Sequence, residues 1–122
     1  MTAQETAVEA FRRFIQETTS ESVTVGLLPV TGGIAVQIVT GKREYASLSS
    51  EYRRSNITLD VLSKNKDQSR AYGSLCSVAN ACETAGLTAP IVNATVDSEP
   101  LFVGKDGEYW IYSLSVSLRV EI

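Results

Sequence analysis

From the N-terminus, apolar residues recur at Ala7, Val8, Phe11, Phe14 and Ile15, the spacing that lines one face of a helix. Ahead of them, Thr2-Ala3-Gln4-Glu5 is a capping-box pattern, in which the Thr2 hydroxyl and the Glu5 carboxylate each accept from a free backbone N–H. Glu9 and Arg13, four apart, are expected to pair on the outer face. Thr18-Thr19-Ser20 ends the segment, so the pattern predicts a helix over residues 3–18. Two β-branched runs follow, Val23 to Leu28 and Ile34 to Thr40, separated by the turn cluster Pro29-Val30-Thr31-Gly32-Gly33. Gly41 to Glu51 is polar and Ser-rich and reads as a long exposed loop or a hairpin arm.

Within Tyr52 to Ser63 the period becomes two. Ile57, Leu59 and Val61 point one way and Asn56, Thr58 and Asp60 the other, which is a half-buried strand. Lys64-Asn65-Lys66-Asp67 reads as a turn with Asp67 as N-cap. The next stripe, Ala71, Tyr72, Leu75, Val78, Ala79 and Cys82, predicts a helix over 68–85 with Gly86 at its C-cap. Gly73 inside that helix points to a close helix–sheet approach.

The remainder is strand pattern. Ile91 to Asp97 is broken by Ser98-Glu99-Pro100, and Leu101-Phe102-Val103 leads into a turn built on Asp106-Gly107. Trp110, Tyr112, Leu114, Val116, Leu118, Val120 and Ile122 then alternate with a mostly polar set. Seven positions in strict period two make a long strand with one apolar face. The expected fold is α+β: a mostly antiparallel sheet with two helices packed on one face, in the order α-β-β-β-α-β-β, forming a single domain over 1–122.

Composition narrows the chemistry. The chain has 122 residues, 11 basic and 14 acidic, for a formal net charge of −3. That balance argues against a protein whose main affinity is for phosphate backbones or anionic lipid. With no histidine, imidazole triads and imidazole metal ligands are excluded. Cys76 and Cys82, six apart on the predicted helix, are turned about 240° from one another and cannot bridge. They read as small core residues of a protein kept in a reducing compartment. The polar, acidic N-terminus lacks an apolar h-region, and no run approaches the ~20 residues of a membrane span, so an intracellular origin without membrane attachment is expected.

Apparent motifs fail on mechanism. Gly41-Lys42 follows a strand as in a phosphate loop, but Val36 stands where the first glycine belongs and Arg43 where the magnesium hydroxyl belongs. Asp97, Glu99 and Asp106 do not have EF-hand spacing. Asn56-Ile57-Thr58 and Asn93-Ala94-Thr95 match glycosylation sequons inside predicted strands. No Gly-x-Ser-x-Gly elbow occurs. The sequence therefore points away from an enzyme and calls for no metal or cofactor. Two features point instead to contacts. Lys42, Arg43, Glu44, Tyr45 and Leu48 enter the Ser-rich arm and Tyr52, Arg53 and Arg54 leave it, a composition suited to the rim of a subunit or partner interface. Ser113, Ser115 and Ser117 form a hydroxyl ladder on the polar side of the last strand, facing water or a neighbouring subunit.

The N-terminal amphipathic helix, the strand pair with its arm, the strand Ile57-Thr58-Leu59-Asp60-Val61 running into the helix Asp67-Gln68-Ser69-Arg70-Ala71-Tyr72, and the closing Tyr109–Val116 strand together resemble a known family. It is that of the tail-terminator and tail-completion proteins of long-tailed bacteriophages, often labelled minor capsid proteins. The resemblance runs from residue 3 to 122 and rests on order, length and pattern. It implies a virion protein assembled in the bacterial host cytoplasm, a homo-oligomer in a hexameric ring on the tail tube protein. The ring stops tube polymerisation, docks to the head connector protein, and lets DNA pass without sequence-specific binding. Such a ring needs two different patches per subunit, for which the arm and the sheet edge are the candidates. A head-side connector or stopper is the near alternative. A small cytosolic α+β ligand-binding domain or enzyme is the alternative from another class.

Overall fold

The computed structural model describes residues 2–45, 53–84, 87 and 89–121, with the side chains of 42–45 and 53–54 outside that description. Helix α1 (Ala3–Thr19) starts on the capping box: Thr2 Oγ1 accepts from the Glu5 N–H and the Thr2 N–H donates to Glu5 Oε1, each at 3.1 Å. The Thr2 N–H and, at 3.0 Å, the Thr2 hydroxyl both donate to Glu5 Oε1 and hold the Glu5 carboxyl below its ordinary range. Ser20 closes the helix in the left-handed region at φ 58°, its N–H donating to the Gln16 carbonyl. The expected Glu9–Arg13 pair is not the one formed. Arg12 takes Glu9, Nη2 to Oε1 at 2.7 Å, and its Nη1 also donates to the Val23 carbonyl at 3.3 Å. Residues three apart on a helix meet as readily as residues four apart, and only Arg12 gains the second acceptor.

Strand β1 (Val23–Val25) is shorter than the expected 23–28, because Gly26 turns the chain away at φ +113°. Residues 26–32 return it, and β2 (Gly33–Tyr45) runs parallel to β1 with Val23 opposite Ile34 and Val25 opposite Val36. Parallel neighbours usually need a crossover of a dozen or more residues. A shorter return suffices here because a strand of this length advances only about 10 Å. β2 pairs antiparallel with β3 (Arg53–Asn65) from Gly33 opposite Lys64 to Tyr45 opposite Arg53. A bulge at Val39 interrupts the ladder between Ile38 and Thr40.

Helix α2 (Gln68–Thr84) is capped by Asp67, whose Oδ1 accepts from the Ser69 N–H at 3.0 Å. Its buried stripe is Ala71, Leu75, Val78, Ala79 and Cys82. Tyr72, placed on that stripe by the spacing, is 40% exposed. Gly73 marks no close approach, since a Cβ built there would meet nothing within 4 Å. Gly86 lies outside the described residues. Burial, with a smaller contribution from Glu83, pushes the Cys82 thiol up to about 11, and both cysteines are free.

Strands β4 (Ile91–Val96) and β5 (Leu101–Asp106) lie one after the other along the same edge of β6 (Tyr109–Glu121), whose other edge pairs with β3. Pro100, which cannot donate to a ladder, sits in the break between them. Leu101–Asp106, read from the sequence as a lead into the turn, is itself a strand, joined to β6 by a turn at Gly107 with φ +61°. The sheet order is β1-β2-β3-β6-β4, with β5 on β6 beside β4.

Both helices cover one face of this mostly antiparallel sheet, an α+β fold. Phe11 and Ile15 of α1 and Leu75 and Val78 of α2 meet Leu59 and Val61 of β3 and Leu114, Val116, Leu118 and Val120 of β6, all essentially inaccessible to solvent. The period-two residues of the two central strands thus supply the sheet half of the core.

Candidate assembly interface

Six of the eight residues singled out for contacts fall on the paired strands β2 and β3. Lys42, Arg43, Glu44 and Tyr45 are the last residues of β2, and Arg53 and Arg54 the first of β3, with Glu44 opposite Arg54 and Tyr45 opposite Arg53. Of the two readings, loop or hairpin arm, the backbone of Gly41–Tyr45 is that of a hairpin. Leu48 and Tyr52 lie outside the described residues. Past the bulge the register moves by one, so Thr40, Lys42 and Glu44 stand in rows with Thr58, Asn56 and Arg54 of β3. The Arg54 row continues to Glu121 and the Asn56 row to Arg119 on β6.

These rows belong to the face that the helices leave open. At its centre, Ser113, Ser115 and Ser117 stand opposite Leu62, Asp60 and Thr58, and all three serines are half-buried. A depression of about 230 Å³ opens beside them between β3, β6 and β4, lined by Asn56, Asn93, Thr95, Ser117, Leu118 and Arg119. Arg119 Nε donates to Asn56 Oδ1 at 3.4 Å across it. Amides, hydroxyls and one guanidinium offer hydrogen bonds but no nucleophile matched to a base.

Two features escaped the sequence reading. Lys64, expected in a turn, is the penultimate residue of β3 and is only 6% exposed. Its ammonium donates to Asp106 Oδ2 at 2.9 Å and lies 5.0 Å from the centre of the Tyr109 ring. The strand reaches this far because Lys64 pairs with Gly33 on one side and Ile111 on the other. Gly32 closes the corner at φ +95°, where a Cβ would come 3.0 Å from the Lys64 carbonyl and 3.2 Å from the Tyr109 ring. A depression of about 400 Å³ lies there, lined by Glu21, Gly32, Lys64, Lys66 and Tyr109 among others. Its lysines are committed to carboxylates, Lys64 to Asp106 and Lys66 to Glu108 at 3.5 Å.

The second is an aromatic cluster at the β5 edge. The Phe102 ring centre lies 5.9 Å from Trp110 and 5.5 Å from Tyr112, and Tyr72 meets Tyr112 edge-on at 5.6 Å. Gln68 Nε2 donates to the Tyr112 hydroxyl at 3.0 Å, and Lys105 Nζ lies 4.5 Å over the Trp110 ring. Hydrogen bonding to Cys76, together with its charge, pushes the Tyr72 phenol above its ordinary range. The period-two pattern put Trp110 and Tyr112 on the apolar face but gave no sign that Phe102 and Tyr72 join them. Those contacts require β5 and α2 to flank one end of β6.

Among the described residues, no three of Cys, Asp and Glu gather as a metal site, and no helix is long and apolar enough to cross a membrane. The arrangement presents surfaces for contact.

The class defined by this architecture is a two-layer α+β fold with a long strand pair, β2 and β3, and an open polar sheet face. No protein-family model matches the chain, and no curated protein sequence does. Among solved structures it is similar to a chain described as "Virion of native gene transfer agent (GTA) particle", with a TM-score of 0.59. The two share 15% sequence identity, and the match covers 98% of this chain and 96% of the other. At that identity the likeness is one of fold.

Proposed function

We propose that this chain is a structural virion protein, a tail terminator that forms a ring of about six copies at the top of a phage-type tail tube. The observation that carries the reading is the end-to-end match to a chain of a gene transfer agent virion, covering 98% and 96% of the two chains. A fold shared over nearly the full extent of both matched chains is what two subunits doing one assembly task would have. The sequence resemblance to tail-terminator and tail-completion proteins points the same way. In this reading the ring halts tube growth and presents one face to the head connector, and the chain performs no catalysis. A net charge of −3 is compatible with a ring through which genome passes.

The test is to image assembled particles carrying a label on this chain. Label in a single ring where the tail tube meets the head is the expected result. Label on the head side of that joint moves the assignment to a connector or stopper, and label elsewhere overturns it.

A further inference from the structure

Among the described residues, the large apolar side chains left exposed fall at two places only. Val25 ends β1, Leu27 and Val30 follow it, and Ile38 and Val39 sit where β2 runs past the end of β1. Tyr72, Val92, Leu101, Phe102 and Val103 line the β4–β5 side together with the adjoining turn of α2. None lies on the two central strands. The sheet order puts these groups on opposite edges of one sheet. Among the described residues each edge also has unpaired backbone: β2 past Val36 pairs there only with β3, and β4 and β5 only with β6.

We infer that the β1–β2 edge of one copy of this chain covers the β4–β5 edge of the next. Charge selects this head-to-tail pairing. Beyond Val39 the β2 sequence carries Lys42, Arg43 and Glu44, a net +1, whereas β4, β5 and the link between them carry Asp97, Glu99, Asp106 and Lys105, a net −2. Joining unlike edges brings the basic stretch toward the acidic one. Pairing either edge with its own kind gathers like charges in one contact. Contacts between unlike patches propagate, and they close into a ring when the rotation between copies allows. Exposed apolar edges of this kind are liabilities in a lone subunit and are normally charged or covered. The contact deepens the ring reading above and rests on it.

The experiment uses the full chain and two variants at strongly exposed positions, Leu27→Glu (86% exposed) on one edge and Leu101→Glu (67% exposed) on the other. Val30→Glu (83% exposed) stands in for the first if it folds poorly by circular dichroism. Sedimentation is followed up to the highest soluble concentration. The wild type is expected to grow beyond a dimer, and each variant alone to remain a monomer. Mixing the variants is expected to give a heterodimer that grows no further, since each supplies one intact edge. A variant that dimerises alone, a mixture that stays monomeric, or a wild type that stays monomeric overturns the contact. A chain located at the tail end that fails this test loses the contact but not the virion role. One that passes but is absent from particles does the reverse.

Discussion

Lys64 shows how one side chain can depend on a partner far along the chain. Its ammonium is nearly buried, while the Asp106 carboxylate that receives it is 70% exposed, so solvent screens one end of the pair. A buried cation left without its partner is costly, whereas an apolar chain of similar length in its place costs little. Asp106→Ala is therefore expected to lower unfolding stability by about 1–2 kcal/mol, and Lys64→Met to change it by less than about 1 kcal/mol. Urea unfolding of the two variants checks the order, and equal losses would count against a buried-charge origin. The sequence placed Lys64 in a turn because its neighbours Asn65, Lys66 and Asp67 are turn formers. The pairing that extends β3 through it comes from β2 and β6, tens of residues away.

At the scale of elements, α1 was legible nearly in full because every signal for it is local. The apolar stripe, the capping box and the polar terminus lie within 20 residues, and the observed helix departs from the reading by one residue at its end. The misassigned partner of Glu9 is the exception, since the Val23 carbonyl that favours Arg12 belongs to another element. Glu5 and Glu9 are both held below their ordinary carboxyl range, by Thr2 and by Arg12. Groups with depressed folded values add stability above their unfolded pKa, and that stability is lost as pH falls through the folded values. The melting temperature is thus expected to fall as pH drops below about 4.5, with Glu9→Gln giving a shallower decline than the wild type. Thermal melts followed by circular dichroism across that range decide it, and parallel curves would remove Glu9 from the account. From its composition the stretch from Gly41 read as either a long exposed loop or a hairpin arm. Its strand character up to Tyr45 was not legible, since Gly41, Lys42 and Arg43 have no apolar alternation of their own and pair because β3 runs beside them.

For the whole molecule, charge is divided unevenly along the chain. Residues 41–54 hold Lys42, Arg43, Arg53 and Arg54 against Glu44 and Glu51, a net basic stretch in a protein of net charge −3. If the hairpin is a contact rim, reversing both Arg53 and Arg54 to Glu should leave the melting temperature within a few degrees of wild type while sharply reducing the yield of infectious or transducing particles. Unchanged particle yield would remove the hairpin from the interface. Soluble protein with a large loss of melting temperature would show instead that these positions hold the sheet together.

Taken by itself, the sequence determined the two helices, the apolar sides of β3 and β6, the α+β class and the lack of imidazole chemistry. Each depends on residue identity or on a period repeated over a few neighbours, which is information a short window contains. Only the tertiary structure decided that β1 lies parallel to β2, that Lys64 is buried, that Phe102 and Tyr72 gather on Tyr112, and that the exposed apolar residues divide between opposite edges of the sheet. Those features follow from which strands become neighbours. Strand order is set by burial of the whole apolar face at once, a global minimum that no local period encodes.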